Sequence, residues 1–476
     1  MQKRTYNIDM CNGPLAGKIL LFALPLMLSS MLQLLFNAVD VVVVGRFVSK
    51  EALAAVGSNN SLINLMINLF VGLSVGANVV IARDLGAGRK DAVSRSIHTT
   101  MTMAIISGVL MMAIGVPMAR QFLVWMKSPS DVIDLASVYM RIYFMGMPAN
   151  LVYNFGAAVL RAEGDTQRPL YYLFAAGIAN VVLNLLLVIV FGLGVAGVAI
   201  GTIASQYISA VLVVRCLMRE QGAMKLDLRK LGLDWRVVGR IMKVGLPAGF
   251  QGLLFALSNV AIQSSLNSFD DAVLVAGSAA SSSVEGFVYM GMNSFYQTAI
   301  SFTGQNYGAG KCRRVDHTAI LCITFASITG LLLGNLFYHF GVPLLGIYAP
   351  GEPDVVAQGM VRMAVICVPY FLCGIMDVMV GVLRGMGYSV IPMIASLVGV
   401  CGLRLVWIAF VFTPHRTPTC LYLSYPVTWI VTGGFHILFF FLIRKHAYLE
   451  MRGHANAAYL STEGRHPEGE ELEKAK

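Results

Sequence analysis

Three carboxylates stand inside long apolar runs: Asp40, Glu285 and Asp377. In hydrocarbon an ionised carboxylate costs several kcal/mol, so each is a candidate for holding a cation or exchanging a proton. Asp40 closes the stretch Gln33-Leu-Leu-Phe-Asn37-Ala-Val-Asp40. At helical spacing Gln33, Asn37 and Asp40 share a face, which sets amides beside an acid. Asn180 and Asn184 lie one turn apart in a later run, and Thr202, Ser205 and Gln206 follow across Gly192-Leu-Gly194. With Asn154 they could furnish oxygen ligands or a hydrogen-bond shell for a proton or a hard cation. Plain readings stand beside these. Asp40 could end its helix at the membrane surface near Gly45-Arg46. Glu285, Asp377 and the amides could equally be polar glue between helices. Arg141, Arg362 and Arg404 also fall inside apolar runs, where snorkelling or pairing with an interior acid would satisfy them.

The elements that must position these groups follow from composition. Of 476 residues, 57% are hydrophobic and 13% charged, against roughly 25% charged in soluble domains. A mean hydropathy of +0.70 and repeated apolar runs of about 20 residues indicate an all-α polytopic membrane protein. Soluble enzymes, fibrous proteins and disordered scaffolds are excluded. The net charge of +10 lies in short clusters between apolar runs, which fits loops on one side of a bilayer and not a nucleic-acid surface. Eight cysteines without C-x-x-C spacing imply neither a disulfide framework nor a zinc site. The first apolar run, Ile19 to Val44, is too long for a cleavable signal.

The runs give twelve expected spans, centred near Leu28, Leu69, Met111, Met145, Val182, Ala204, Leu257, Met292, Leu331, Ile366, Val398 and Thr432. Most cations, including Lys18, Arg83, Arg89, Arg161, Arg240, Lys311, Arg314 and Arg444, fall on one side. The other side holds Arg46, Lys50, Arg120, Lys127 and Arg416. That asymmetry predicts cytoplasmic termini, and the expected location is a plasma (inner) membrane.

The halves also repeat. Pro25 answers Pro247 and Asn37 answers Asn259, each at an offset of 222; Gly86-Ala-Gly-Arg answers Gly308-Ala-Gly-Lys at the same offset. Pro148 matches Pro369 at 221, and Val159-Leu-Arg161 matches Val382-Leu-Arg384 at 223. The repeat predicts two six-helix lobes related by a pseudo-two-fold axis along the membrane normal, the build of transporters that alternate access between lobes. The expected organisation is an N-terminal segment (1–14), an N-lobe (15–217), a connector (218–240), a C-lobe (241–445) and a polar tail (446–476). Pro25, which cannot donate to the helical ladder, is the expected hinge of the first span.

Taken together, Asn37-Ala-Val-Asp40, Leu53-Ala-Ala-Val-Gly57, the two Gly-Ala-Gly loops, Leu160-Arg-Ala-Glu-Gly-Asp-Thr166 and Leu383-Arg-Gly-Met-Gly387 resemble the multidrug and toxic compound extrusion (MATE) family over roughly residues 15 to 445. The resemblance implies a twelve-helix antiporter with a central cavity. It would export amphipathic, often cationic drugs or metabolites in exchange for protons or sodium, working as a monomer without a cofactor. The N-lobe cluster looks most like the branch named after the DNA-damage-inducible protein F. That implies Asp40 as the coupling acid, with Asn180 and Thr202 as its partners and Gln33 and Asn154 on the cavity wall. Asn184 stands where that branch often has a second acid. Phe255 and Cys373 stand where another branch has acids. A sodium ion at Asp40, Asn180 and Thr202 fits as well as a proton. The rival reading is a flippase of lipid-linked substrates, which would call for a strongly cationic cavity. A membrane-embedded enzyme would need clustered His or Asp-rich motifs, and this chain has neither.

Overall fold

Apolar segments in hydrocarbon have no water to satisfy their backbone, so they become helices that bond internally. The computed structural model describes residues 6–48, 50–126 and 130–463, without the side chains at 50, 51, 53–55, 57–62, 64, 65, 130, 131 and 450–463. Lys127 and the tail beyond residue 463 lie outside the described residues. Among those described, every regular element is helical.

The N-lobe comprises α1 (Leu15–Phe47), α2 (Lys50–Gly86), α3 (Lys90–Trp125), α4 (Ser130–Met145), α5 (Met147–Glu163), α6 (Gln167–Leu185) and α7 (Gly194–Arg219). The C-lobe comprises α8 (Trp235–Asn267), α9 (Ala272–Gly308), α10 (Cys312–His339), α11 (Gly341–Tyr348), α12 (Pro353–Ile366), α13 (Phe371–Gly385), α14 (Val390–Ser396), α15 (Leu403–Trp407) and α16 (Pro418–Glu463). Asp234 and Asp271 cap α8 and α9 by accepting from the first free backbone N–H groups of each helix.

The repeat is visible element by element. Helices α2 and α9 are both 37 residues long, and 272 − 50 = 222 while 308 − 86 = 222. Among the described residues, ten helices are long and apolar enough to span a membrane, and the α12/α13 pair, bent by 51°, makes eleven. Its repeat counterpart, α4/α5, broken at Gly146, completes twelve. Met145 and Ile366, expected at mid-span, thus fall at breaks. Pro148 opens α5 and Pro369 lies within the α12/α13 break. A proline cannot supply the N–H that a continuous helix needs there.

The lobes meet along a seam at the basic face. A Cβ on Gly86 would stand 1.9 Å from the Gln305 carbonyl, and one on Gly308 would stand 2.1 Å from the Arg83 carbonyl. Gly86 pairs with Gly308 and Arg83 with Gln305 in the 222 repeat, so the contact is reciprocal. Such a contact is the signature of a two-fold axis, here relating two halves of one chain.

Each lobe's leading segment clasps the opposite lobe. Ahead of α1, Met10 is fully buried in a C-lobe cluster, and its carbonyl accepts from Asn306 Nδ2 (3.1 Å) and Arg314 Nη2 (3.0 Å). Ahead of α8, Met224 and Leu226 are buried among N-lobe side chains, and His98 Nε2 accepts from the Asp227 N–H at 3.1 Å. The expected free tail from residue 446 needs correction. Helix α16 runs on, with Ala447 fully buried and Tyr448 Oη donating to Asp316 at 2.6 Å. Apolar residues interrupt the charges here, so one face still packs.

Candidate functional site

Asp40 lies in the last two turns of α1 and is 7% exposed, buried and not at a free helix end. Burying a charge without partners is costly, and partners are present. Asn184 Nδ2 donates to Oδ1 at 2.5 Å and Thr202 Oγ1 reaches Oδ2 at 3.2 Å. Asn180 Nδ2 reaches Thr202 Oγ1 at 3.4 Å, and its own Oδ1 accepts from Asn184 at 3.4 Å. Three helices therefore converge on one carboxylate. Asn180 and Asn184 project together because they are one turn apart on α6. Helix α7 reaches them because Gly201 leaves room, a Cβ there falling 2.1 Å from Asn184 Oδ1.

Asp40 opens onto a cavity of about 280 Å³. Gln33 and Asn37, both exposed into it, extend the α1 wall toward the basic face. Asn154 lines the opposite side, its Nδ2 donating to Asn150 Oδ1 at 3.0 Å. Thr202, Ser205 and Gln206 complete the α7 wall. Asn184 bonds the acid from behind and is not part of the cavity wall. Tyr143, Asn150 and Ser209 also line it, and the sequence reading did not single them out. Asn150 is one turn before Asn154 and Ser209 two turns after Thr202, a signal that was available. Tyr143 lies beyond the break at Gly146, which disrupts the register that would have linked it.

Pro25 is buried within α1, which stays helical through it, and its carbonyl accepts from Ser29 Oγ at 2.8 Å. Glu285 and Asp377, expected on the substrate cavity, are placed elsewhere in the C-lobe and do not line this one. Glu285 is paired through both oxygens with Arg362 Nε and Nη2, each at 2.9 Å, and accepts from Ser281 Oγ at 2.8 Å. Arg362 also packs its guanidinium near the faces of Tyr422 and Tyr425. That is a satisfied internal ion pair. Asp377 faces the Tyr289 hydroxyl. Arg404 lies 4.1 Å over Tyr425 and donates to Asn259 Oδ1 at 3.1 Å. Arg141, the repeat partner of Arg362, is exposed. No cluster of metal-ligating side chains occurs among the described residues.

Two duplicated six-helix lobes, with an acid-bearing cavity in one of them, define the class of secondary membrane transporters. The MatE family model matches residues 25–186 and 247–410, one match per lobe, and the chain belongs to the MATE family of multidrug transporters. It is a multi-pass membrane transporter and not an enzyme. The probable multidrug resistance protein YpnP of Bacillus subtilis is 27% identical over 396 residues, covering 83% of this chain and 88% of that protein. The probable multidrug resistance protein NorM of Thermotoga maritima is 25% identical over 410 residues, covering 84% and 86%. A solved transporter of the MOP superfamily from Pyrococcus furiosus superposes with a TM-score of 0.87 at 19% identity, covering 94% of this chain and 99% of that one. At that identity the likeness speaks for the fold, two lobes of six spans.

Proposed function

We propose that the protein is a secondary active antiporter that exports amphipathic, often cationic drugs or metabolites in exchange for protons or sodium, with Asp40 as the coupling group. The observation that carries this reading is the paired yet solvent-reachable carboxylate. Asp40 holds one oxygen against Asn184 and the other against Thr202 while opening onto a cavity. Thr202 Oγ1 also lies 2.9 Å from the Val198 carbonyl. Its proton therefore has two acceptors. When Asp40 is ionised, the hydroxyl donates to the carboxylate. When Asp40 takes a proton, its own O–H donates to Thr202, which turns its proton to Val198. The same oxygen set around Asp40, Asn180 and Thr202 is chemically suited to sodium.

Loading the acid removes a charge from a half-dry wall and so favours a different packing of α1, with Pro25 as the weak point of its ladder. The basic face is taken as cytoplasmic, with both termini there, in the plasma membrane. The seam at Gly86 and Gly308 then makes this the cytoplasm-closed state, and parting of the seam admits cargo. A cavity of about 280 Å³ is at the lower edge for a drug-sized ligand. It serves the ion and one end of the cargo, and the rest lies between the lobes. For a neutral cargo, one charge moving inward down about 100 mV supplies about 2.3 kcal/mol, or about fifty-fold of accumulation. For a monovalent cationic cargo exchanged one for one, the voltage cancels and the ion's concentration gradient drives export. The relatives named as multidrug resistance proteins support the cargo class.

The test is dye efflux from inside-out vesicles with proton and sodium gradients imposed separately. Wild-type export should follow one of the two gradients and be lost in Asp40→Asn. Full-rate, gradient-driven export by Asp40→Asn would remove this mechanism.

A further inference from the structure

A second cavity, of about 690 Å³, lies between the lobes at the basic face and shares no wall residue with the Asp40 cavity. Its charged wall is four cations and one acid: Arg83, Arg89 and Asp84 from the end of α2 and its turn, Arg240 and Lys243 from α8. Asp84 is fully buried and fully engaged. It accepts from Arg240 Nη1 at 3.1 and 3.0 Å and from Ser96 Oγ at 3.2 Å, and it pairs with Arg89 at 3.3 Å. One carboxylate thus serves two guanidinia, and the wall keeps a surplus of positive charge.

Arg83 sharpens the case. Its guanidinium lies 4.5 Å over the Tyr307 ring, and among the described residues no carboxylate comes within ion-pair reach of it. On its other side is Gly387, where a Cβ would fall 2.4 Å from Arg83 Nη1. The bias of cations toward one membrane side accounts for charges washed by water in loops. It does not account for a largely covered guanidinium gathered with three other cations around one cavity, because like charges so placed repel.

We propose that this cavity binds a multivalent anion of the phosphate class, such as a phosphomonoester or diphosphate group, which locks the seam. Planar guanidinia suit phosphate oxygens, lysine adds a point charge, and the volume admits more than the anionic group alone. The group could come from an anionic lipid headgroup or from a soluble phosphate compound. Arg83 and Arg89 belong to one lobe, Arg240 and Lys243 to the other. The Asp84–Arg240 pair already joins the lobes across this wall, and an anion held by cations of both lobes would add to it while offsetting the repulsion of the surplus charge. A ligand that binds only the closed seam favours that state by mass action, about hundredfold at a hundred times its Kd. The inference does not rest on ion coupling at Asp40 and is tested without any gradient.

The experiment uses the full-length protein in nanodiscs at constant ionic strength. One arm titrates sodium diphosphate into phosphatidylcholine discs; the other replaces phosphatidylcholine with phosphatidylglycerol. Thermal unfolding and a fluorescence distance across the seam, from Lys90 to the exposed His317, report binding. The expected result is saturable stabilisation and a closed seam in at least one arm. Binding should be weakened at least tenfold in Arg83→Gln/Lys243→Gln and unchanged in Arg313→Gln, which removes an exposed cation outside the cavity. Response to diphosphate assigns a soluble source, and response only to phosphatidylglycerol assigns a lipid. Should the double variant fail to fold, Lys243→Glu at its exposed position gives the same comparison. No response in either arm, or equal loss in the cavity variants and in Arg313→Gln, overturns the proposal.

Discussion

The two lobes share a backbone plan and differ in what they bury. In the N-lobe a lone carboxylate, Asp40, is held by neutral amide and hydroxyl groups and faces a cavity. In the C-lobe the position 222 residues later is Ile262, and the buried acid Glu285 is neutralised by Arg362. Neutral partners leave a carboxylate free to change its charge state. A bidentate guanidinium instead ties the Glu285 carboxylate to one partner, and removing either member would strand a buried charge. Duplication thus left one lobe with a cavity-facing carboxylate among neutral partners. In the other, Glu285 is tied to Arg362, which fixes helix α9 against α12, and Asp377, beside the Tyr289 hydroxyl, does not line that cavity. Under the proposed coupling at Asp40, the N-lobe would sense the ion and the C-lobe would provide a more rigid counterpart.

The largest expected effect tests rigidity. Glu285→Gln leaves Arg362 without its carboxylate and should cost about 3–5 kcal/mol, read as a lowered unfolding midpoint in detergent, while surviving protein keeps its ion dependence. Next comes coupling. Asp40→Asn should abolish the fifty-fold accumulation of a neutral cargo that about 2.3 kcal/mol supports, with unfolding little changed. Asp377→Asn should keep accumulation within about twofold. Equal losses in both variants would erase the distinction between the lobes. Thr202→Val removes one hydrogen bond to Asp40, worth about 1 kcal/mol, and should shift the pH or sodium dependence of transport about fivefold without abolishing it.

The smallest effect lies outside the membrane, in the segment that ties the N-lobe to the C-lobe. Hydrogen bonds to Asp9, first from Asn12 Nδ2 and then from the Cys11 and Asn12 backbone N–H groups, hold its carboxyl below the usual range against partial burial. A lowered folded-state value means the stabilisation is complete at neutral pH and fades as pH falls below about 4. Asp9→Asn should cost under about 1 kcal/mol, measured as faster hydrogen exchange at Cys11 and Asn12 at pH 7. That difference from wild type should shrink at about pH 3.

Much of the architecture was legible because the bilayer admits few solutions. Twelve runs, the side bias of cations and the 222 repeat define two six-helix lobes before any coordinates. Helical spacing put Asn180 and Asn184 on one face and Asp40 on a face with Asn37 and Gln33, but grouping Asp40 with Asn180 and Thr202 rested on the family resemblance. Spacing says nothing of which helices meet, so the pairing of Glu285 with Arg362, 77 residues apart, left Glu285 among the cavity candidates. Nor does it show where a helix breaks, which hid Tyr143. The docked start of the presumed tail was missed because Ala447 and Tyr448 sit among charges that read as solvated. The clasping of each lobe by the other's leading segment is likewise a tertiary fact, carried by single residues such as Met10.

The most direct measurement is the count of ions exchanged when cargo binds. Purified transporter in weakly buffered solution near pH 7 is titrated with a lipophilic cation while protons and sodium are followed by a pH electrode and a sodium-sensitive dye. The account predicts about one ion released per transporter in the wild type and none in Asp40→Asn. Undiminished release from Asp40→Asn, or cargo binding by the wild type with no ion displaced, would contradict it.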